Sequence, residues 1–249
     1  MTDLYHFLVP FVFIMSGVVL VILLFISAPY GKFLRRGWGP VIRSKWAWMV
    51  MEFPSPALMI LFFVTSADHG PVAGVFLSIW LLHYLHRTFV YPFRQSGRDK
   101  DFPASLVVMA LVFNIINGTI NGYGIFHLRS YDVSYLAGGR FICGAVLFVT
   151  GFIINKWADE KLRRLRSRNP DEYALPSGGL FDYISNPHYF GEILEWAGWA
   201  TATWSLPGLA FFLFTFANLF PRAIASHKWY REHFSDFPGS RKALIPFIV

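Results

Sequence analysis

Apolar residues in this chain come in long unbroken runs, with neither the two-residue alternation of strands nor the one-sided stripe of a soluble helix. Seven runs, 7–28, 46–66, 72–92, 103–126, 134–155, 189–204 and 206–221, predict membrane-crossing helices, since a span takes about 20 mostly apolar residues. The last two are short and separated only by Ser205-Leu206-Pro207-Gly208, so one long helix competes with two. The longest pieces outside the runs are 156–188 and 222–249. No fixed-period repeat or low-complexity tract is visible. The pattern predicts a single all-α, polytopic, membrane-embedded domain over residues 1–249.

Charge supplies the orientation and decides between one helix and two. Of the 22 Lys and Arg, 19 fall in four clusters, at 32–45, 94–100, 156–168 and 222–242. All four share one side only if 189–221 crosses twice, and the connections on the other side then carry Arg129 alone. The positive-inside rule places the N-terminus outside and the C-terminus in the cytoplasm. The net charge of +7 is thus topological, and no nucleic-acid partner is expected.

Composition agrees: 55% of residues are hydrophobic, 19% aromatic and 15% charged, and the mean hydropathy is +0.44. A soluble domain would carry about 25% charged residues. The expectation is an integral membrane protein with the lipid bilayer as partner, in the endoplasmic reticulum of a eukaryote or the cytoplasmic membrane of a bacterium, and monomeric. The first run has no basic region ahead of it and no small-residue cleavage site, so it reads as a retained span. Cys143 is the only cysteine and lies in an apolar run, which excludes an internal disulfide and a Cys-based zinc site.

Several polar residues interrupt the runs at depths where they are costly and mark cavities or pathways. His83-Tyr84-Leu85-His86-Arg87 emerges directly from an apolar run, where an interfacial belt is the plainer alternative. Glu52 is the only acid in the second run, about 9 Å into its helix at 1.5 Å per residue. Tyr84, on a run of opposite direction, reaches a similar depth. The two can meet in the cytoplasmic half, where a desolvated carboxyl favours its protonated, hydrogen-donating form. A structural pairing of Glu52 with Arg87 is the competing reading.

His83 and His86 share a helix face, but the other His are scattered, so no metal site is expected. Asn114, Asn117, Gly118, Asn121, Gly122 and Tyr123 give the fourth run a polar, small-residue face suited to tight packing or to ligand contact. Asn155 and Asp159 share a face, with Arg166 about two turns on. Amide, carboxylate and guanidinium together suit the ribose and phosphates of a nucleotide. A solvated basic loop is the alternative. Glu192 and Glu195 stand near the start of the next apolar helix, where Glu192 complements the helix dipole. No G-x-G-x-x-G and no P-loop occurs, so a dinucleotide is not held by a Rossmann unit.

Six words occur in the order that one family shows: Glu52-x-Pro54-Ser55, Leu82-His83-Tyr84-x-His86-Arg87-Thr88-Phe89-Val90-Tyr91, Pro176-x-Gly178-Gly179-Leu180-Phe181-x-Tyr183, Gly191-Glu192-Ile193-x-Glu195-Trp196, Ala202-Thr203-Trp204-Ser205-Leu206-Pro207 and Ser240-Arg241-Lys242-Ala243-Leu244-Ile245-Pro246-Phe247-Ile248. Over nearly its whole length the chain resembles the steroid 5α-reductases, most closely the type 2 isozyme.

The resemblance implies a seven-span enzyme that uses NADPH to reduce the 4,5 double bond of a 3-oxo-Δ4 steroid, such as testosterone or progesterone, by hydride transfer to C5. It implies that Glu52 and Tyr84 hold the 3-keto oxygen. Implied cofactor contacts are Arg98, Asn155, Asp159, Arg166, Tyr173, Tyr183, His188, Glu192, Arg222 and Tyr230. The chain departs from the family pattern at His188, where the family has asparagine, and at Ser226-His227-Lys228, which replaces a His-rich segment.

Sister membrane reductases of polyprenals or trans-2-enoyl-CoA share the reaction and are the runner-up. Membrane methyltransferases of the isoprenylcysteine type favour an Arg followed closely by two adjacent Glu, which Arg222 is not. A transporter or lipid-binding protein would bind steroid without reducing it, and inverted repeats are not evident.

Overall fold

The computed structural model describes residues 1–35, 37–95, 99–168 and 173–249. The predicted cofactor contact Arg98 lies outside the described residues. Helix α1 is Thr2–Phe25. Helices α2 (Ser44–Glu52) and α3 (Pro54–Thr65) follow each other as one rod, with Pro54 where α3 begins, the one helical position at which proline is free of penalty. Helix α4 (Pro71–Leu85) passes through a π-helical turn, His86–Val90, into the short α5 (Tyr91–Arg94). Then come α6 (Ala104–Phe126), α7 (Gly139–Arg168), α8 (Pro187–Thr203) and α9 (Leu206–His233).

Among the described residues five helical rods are long and apolar enough to cross a membrane: Thr2–Phe25, Ser44–Thr65, Ala104–Phe126, Gly139–Ser167 and Leu206–His233. Helices α4 and α8 have 15 and 17 residues. The predicted runs 134–155 and 206–221 differ most from what forms, since α7 starts at Gly139 and continues to Arg168, and α9 continues to His233. Hydropathy marks where an apolar solvent would end, whereas Lys, Arg, Leu, Glu and Ala are good helix formers that carry the helix onward.

Residues 187–233 form two helices, not one. Trp204 takes a left-handed conformation, φ 45°, and ends α8. The carbonyls left open there are met by the preceding connection: Tyr135 Oη donates to the Ala202 carbonyl (2.9 Å), Tyr131 Oη to that of Thr203 (2.8 Å) and Arg129 Nη1 to that of Trp204 (2.7 Å). Ser205 then caps α9, its Oγ accepting from the Gly208 N–H at 3.1 Å. A two-stranded antiparallel ribbon, β1 (Val41–Arg43) and β2 (Asp101–Pro103), pairs Ile42 with Phe102. It adds to the all-helical expectation, and three-residue strands are too short to show alternation.

Helices α4 and α8 carry much of the core. Trp80 of α4 packs on Trp196 and Trp199 of α8 at centroid distances of 5.5 and 5.0 Å, and Trp196 meets Phe211 of α9 at 4.3 Å. All three indoles are essentially fully buried, and such tilted ring pairs add to the stabilisation from burial. Large apolar side chains of α1 (Phe7, Ile14, Phe25) and α6 (Val108, Met109) face outward, as a lipid solvent allows.

Helices α7 and α8 touch through glycine. A Cβ on Gly144 would strike the Ala202 backbone, on Gly151 that of Glu195, on Gly191 that of Asn155 and on Gly198 that of Phe148. Small residues seven apart on both helices bring the backbones together. In α6, Gly118 lies against Leu58 and Gly122 against Phe62, so the glycines of that face serve packing. Gly151→Ala is expected to cost about 1–3 kcal/mol by overpacking, lowering Tm in detergent by roughly 2–4 °C per kcal/mol. An unchanged Tm would mean that the seam yields.

Candidate active site

A cavity of about 760 Å³ lies at one end of the bundle, walled by α2, α5, α7, α8 and α9 and covered by residues 27–34. It exists because α7 and α9 outrun their apolar stretches. The α7 extension carries Asp159 and Arg166 into the wall, and the α9 extension carries Arg222, Ser226 and Tyr230.

Of the predicted cofactor contacts, Asp159, Arg166, Tyr173, His188, Glu192, Arg222 and Tyr230 line this cavity. Asn155 sits just behind the wall, 1% exposed, with Nδ2 donating to the His188 carbonyl at 2.9 Å and to Glu192 Oε2 at 3.4 Å. Tyr183 is not brought to the cavity. It is 51% exposed, edge-on to Phe247 at 5.6 Å, and its carbonyl accepts from the Lys242 N–H at 2.8 Å. Its backbone holds the C-terminal segment, so its place in the family word reflects the chain path rather than the cavity.

Cations in the cavity rest on aromatic faces. Arg222 lies 4.5 Å over Tyr30 and donates to Tyr189 Oη at 3.1 Å. Arg166 lies 4.9 Å over Tyr173. Lys32, absent from the sequence-based set, donates to Ser226 Oγ at 2.9 Å and sits 3.9 Å over the Tyr230 ring. Burial, then the like charge of Arg166, pushes its ammonium pKa down to about 7. An anion placed between Lys32 and Arg166 would relieve that repulsion. No motif marks Lys32; its basic cluster is fully accounted for by topology.

Several buried polar atoms around the cavity have no hydrogen-bond partner among the described residues: His86 Nδ1, Asn155 Oδ1, Lys156 Nζ, Asp159 Oδ2 and His188 Nδ1. Buried polar atoms are nearly always paired, so this concentration suits a polar ligand.

Arg87 also lines the cavity, its guanidinium stacked between Trp48 (4.3 Å) and Tyr91 (4.6 Å). Its Nε is 3.6 Å from Glu52 Oε1, an ion-pair distance too long for a hydrogen bond. Glu52 Oε2 accepts from Asn114 Nδ2 at 3.3 Å. Tyr84, 3% exposed, stacks on Trp80 at 4.9 Å and lies 5.7 Å from the Trp196 ring. Neither Glu52 nor Tyr84 lines the cavity, and the competing Glu52–Arg87 pairing forms. His83 and His86 part company: His83 Nδ1 bonds the fully buried Glu195 Oε1 at 2.7 Å, while His86 faces the cavity. Among the described residues no group of three potential metal ligands occurs.

The arrangement can bind a long polar anion beside an apolar, aromatic core in which Tyr84 is buried. A family profile described as 3-oxo-5-alpha-steroid 4-dehydrogenase matches residues 100–249. The chain is 44% identical over 236 residues to "Steroid 5-alpha-reductase DET2" of Arabidopsis thaliana, covering 92% of this chain and 90% of that one. It is 43% identical to "3-oxo-5-alpha-steroid 4-dehydrogenase 2" of Homo sapiens over 81% and 80% of the two chains. With "3-oxo-5-alpha-steroid 4-dehydrogenase 1" of Bos taurus the identity is 39% over 94% and 93%. Likeness of this extent to plant and mammalian proteins alike makes the chain an oxidoreductase, acting on CH–CH groups, that belongs to the steroid 5-alpha-reductase family.

Proposed function

We propose that the chain reduces the 4,5 double bond of a 3-oxo-Δ4 steroid to the 5α-reduced 3-oxo steroid, with NADPH as the electron source. The observation that carries this reading is the set of unpartnered buried polar atoms beside Lys32, Arg166 and Arg222, directly above Arg87, Glu52 and Tyr84. The donor set suits a phosphorylated dinucleotide. Cations flank one part of the cavity for phosphate, while Asp159 Oδ2 and Asn155 Oδ1 offer acceptors for ribose or amide hydrogens. His188 presents Nδ1 where an asparagine amide would otherwise serve. Arg98 enters this contact set on the resemblance alone, and Tyr183 is left out of it.

When bound, NADPH supplies the hydride. Hydride arriving at the β-carbon of an enone pushes charge onto the ketone oxygen, so donors held at that oxygen stabilise the transition state more than the ground state. Tyr84 and Glu52 take that role. The Oε1 of Glu52 has only the loose Arg87 contact and can turn a proton toward the ketone; Oε2 stays with Asn114. Trp80, Trp196 and Phe211 keep the chamber apolar, which strengthens each of those hydrogen bonds.

The same proposal covers the setting. The chain forms one monomeric membrane unit of seven crossings, with the N-terminus outside and the cavity and C-terminus cytoplasmic. Residues 71–94 are helical over about 36 Å at 1.5 Å per residue. Helix α8, about 26 Å long, is lined by neighbours rather than lipid.

Detergent-purified protein given NADPH with testosterone or progesterone should oxidise the cofactor and yield steroid two hydrogens heavier by mass spectrometry. Cofactor binding without steroid reduction would overturn the substrate assignment. In the same assay Arg166→Ala should raise KM for NADPH about 10- to 100-fold, the loss of a charge-assisted contact of about 1.5–3 kcal/mol, with KM for steroid unchanged. An unchanged KM for NADPH would remove Arg166 from the site.

A further inference from the structure

The apolar surface that α7 turns outward does not end with the helix's apolar run. Ile142, Val146, Val149, Ile153 and Trp157, spaced three or four apart, are all exposed and form one stripe. At 1.5 Å per residue Trp157 stands about 27 Å along the helix from Gly139, close to the thickness of a hydrocarbon core, about 30 Å. Ile153 and Trp157 also line the cavity.

Beyond Trp157 other segments carry the stripe on. A Cβ on Gly179 would strike the Trp157 ring, and Phe181 packs on that ring at 5.8 Å. Two residues further, Tyr183 meets Phe247 edge-on at 5.6 Å. Residues 243–249 carry no charge and close into a hook, in which the Leu244 and Ile245 N–H groups both donate to the Val249 oxygen. At its tip Phe247 is 80% and Ile248 73% exposed. Phe247 takes φ 65°, a costly conformation for a bulky side chain. The hook therefore holds two large apolar groups outward against backbone strain.

The level of the hook is fixed by the glycine seam. Gly151 faces Glu195 and Gly191 faces Asn155, and the same register sets Pro187 level with Asp159. Asn186, buried just before Pro187, donates to the Ala243 carbonyl at 2.9 Å and to the Ala223 carbonyl at 3.0 Å. The hook thus begins at the height of Trp157, where the outward stripe of α7 ends. Lys161, one turn past Trp157, lies 5.3 Å over its ring and donates to the Gly178 carbonyl at 2.8 Å. Exposed Trp and Tyr with a lysine at a helix end are the marks of a membrane interface.

Resting on the membrane setting proposed above, we infer that Phe247 and Ile248 enter the headgroup layer of the cytoplasmic leaflet and make the hook an interfacial anchor. The occupant of the patch is lipid, because the patch continues a stripe that faces lipid and lies where that leaflet ends. The anchor also serves the cavity. Arg241, 3% exposed, donates through Nη1 to the Pro176 carbonyl at 3.1 Å, three residues from Tyr173 on the cavity wall. A hook held by lipid steadies that segment.

The test puts an environment-sensitive nitrobenzoxadiazole dye on the tip. Cys143→Ala removes the only cysteine. In that background Phe247→Cys, Val149→Cys and Glu232→Cys, the last in the final turn of α9, are each labelled and reconstituted in phosphatidylcholine vesicles. The vesicles carry a nitroxide either at the headgroup or deep in the acyl chain. The dye at 247 should lose more emission to the headgroup nitroxide than to the deep one, and less to aqueous iodide than the dye at 232. Ile248→Cys gives the same reading if Phe247→Cys does not fold. Iodide quenching at 247 equal to that at 232 would overturn the anchor. So would shielding from iodide with no loss to either nitroxide, since a protein surface such as a second copy would then cover the tip. The dye at 149 should lose emission to the deep nitroxide; its failure to do so would overturn the membrane setting itself, and the anchor with it.

Discussion

Tyr84→Phe is expected to lower kcat about 100- to 1000-fold, the usual effect of losing one donor at a developing oxyanion, with KM for NADPH unchanged. The two effects separate because of where the phenol lies. Tyr84 is buried in the aromatic core against Trp80 and Trp196 and does not line the cavity. Removing one oxygen leaves its ring in place, so packing is retained. Glu52→Gln should give a loss of the same order, since the amide keeps the shape but donates more weakly to a ketone. Near-wild-type kcat in both variants would refute the assigned roles, and a parallel rise in KM for NADPH would point to collapse of the site instead.

Arg87→Met is expected to destabilise the protein by about 3–5 kcal/mol, the range for removing one partner of a buried ion pair. Arg87 is 13% exposed, as is Glu52, and it also stands in the field of Glu192 and Asp159. Its loss leaves the Glu52 carboxyl without the cation 3.6 Å away. Arg87→Lys should recover only part of this, because an ammonium does not reproduce a planar guanidinium stacked between Trp48 and Tyr91. Thermal unfolding of the two variants in detergent provides the measurement. A loss below about 1 kcal/mol, the level of an exposed pair, would show that water reaches Glu52 freely.

The rods of this fold were legible because hydropathy is a strong signal over twenty residues. Their ends were not, since the charged turns of α7 and α9 look like loops to a hydropathy argument yet are helical, and they build the cavity. Helix spacing found Asn155, Asp159 and Arg166 on one face. It could not find Lys32, which reaches the cavity from a connection distant in sequence from Ser226 and Tyr230. Tyr183 failed in the opposite way, sharing a motif with cavity residues while its side chain turns outward. Of the two purposes foreseen for the Asn and Gly face of α6, Gly118 and Gly122 serve packing, while Asn114 bonds Glu52 within the chain.

With backbone pressed on backbone at Gly144, Gly151, Gly191 and Gly198, α7 and α8 have no side-chain cushion between them to compress or slide. Asp159, His188 and Glu192 are thus mounted on a fixed jaw. The opposing cover, residues 27–34, contains no helix longer than three residues and is tied down at Lys32 by a hydroxyl and aromatic faces. A ligand entering past this cover would have to part Lys32 from Ser226 and from the Trp229 and Tyr230 rings, whereas the glycine seam opposite offers no such side-chain latch.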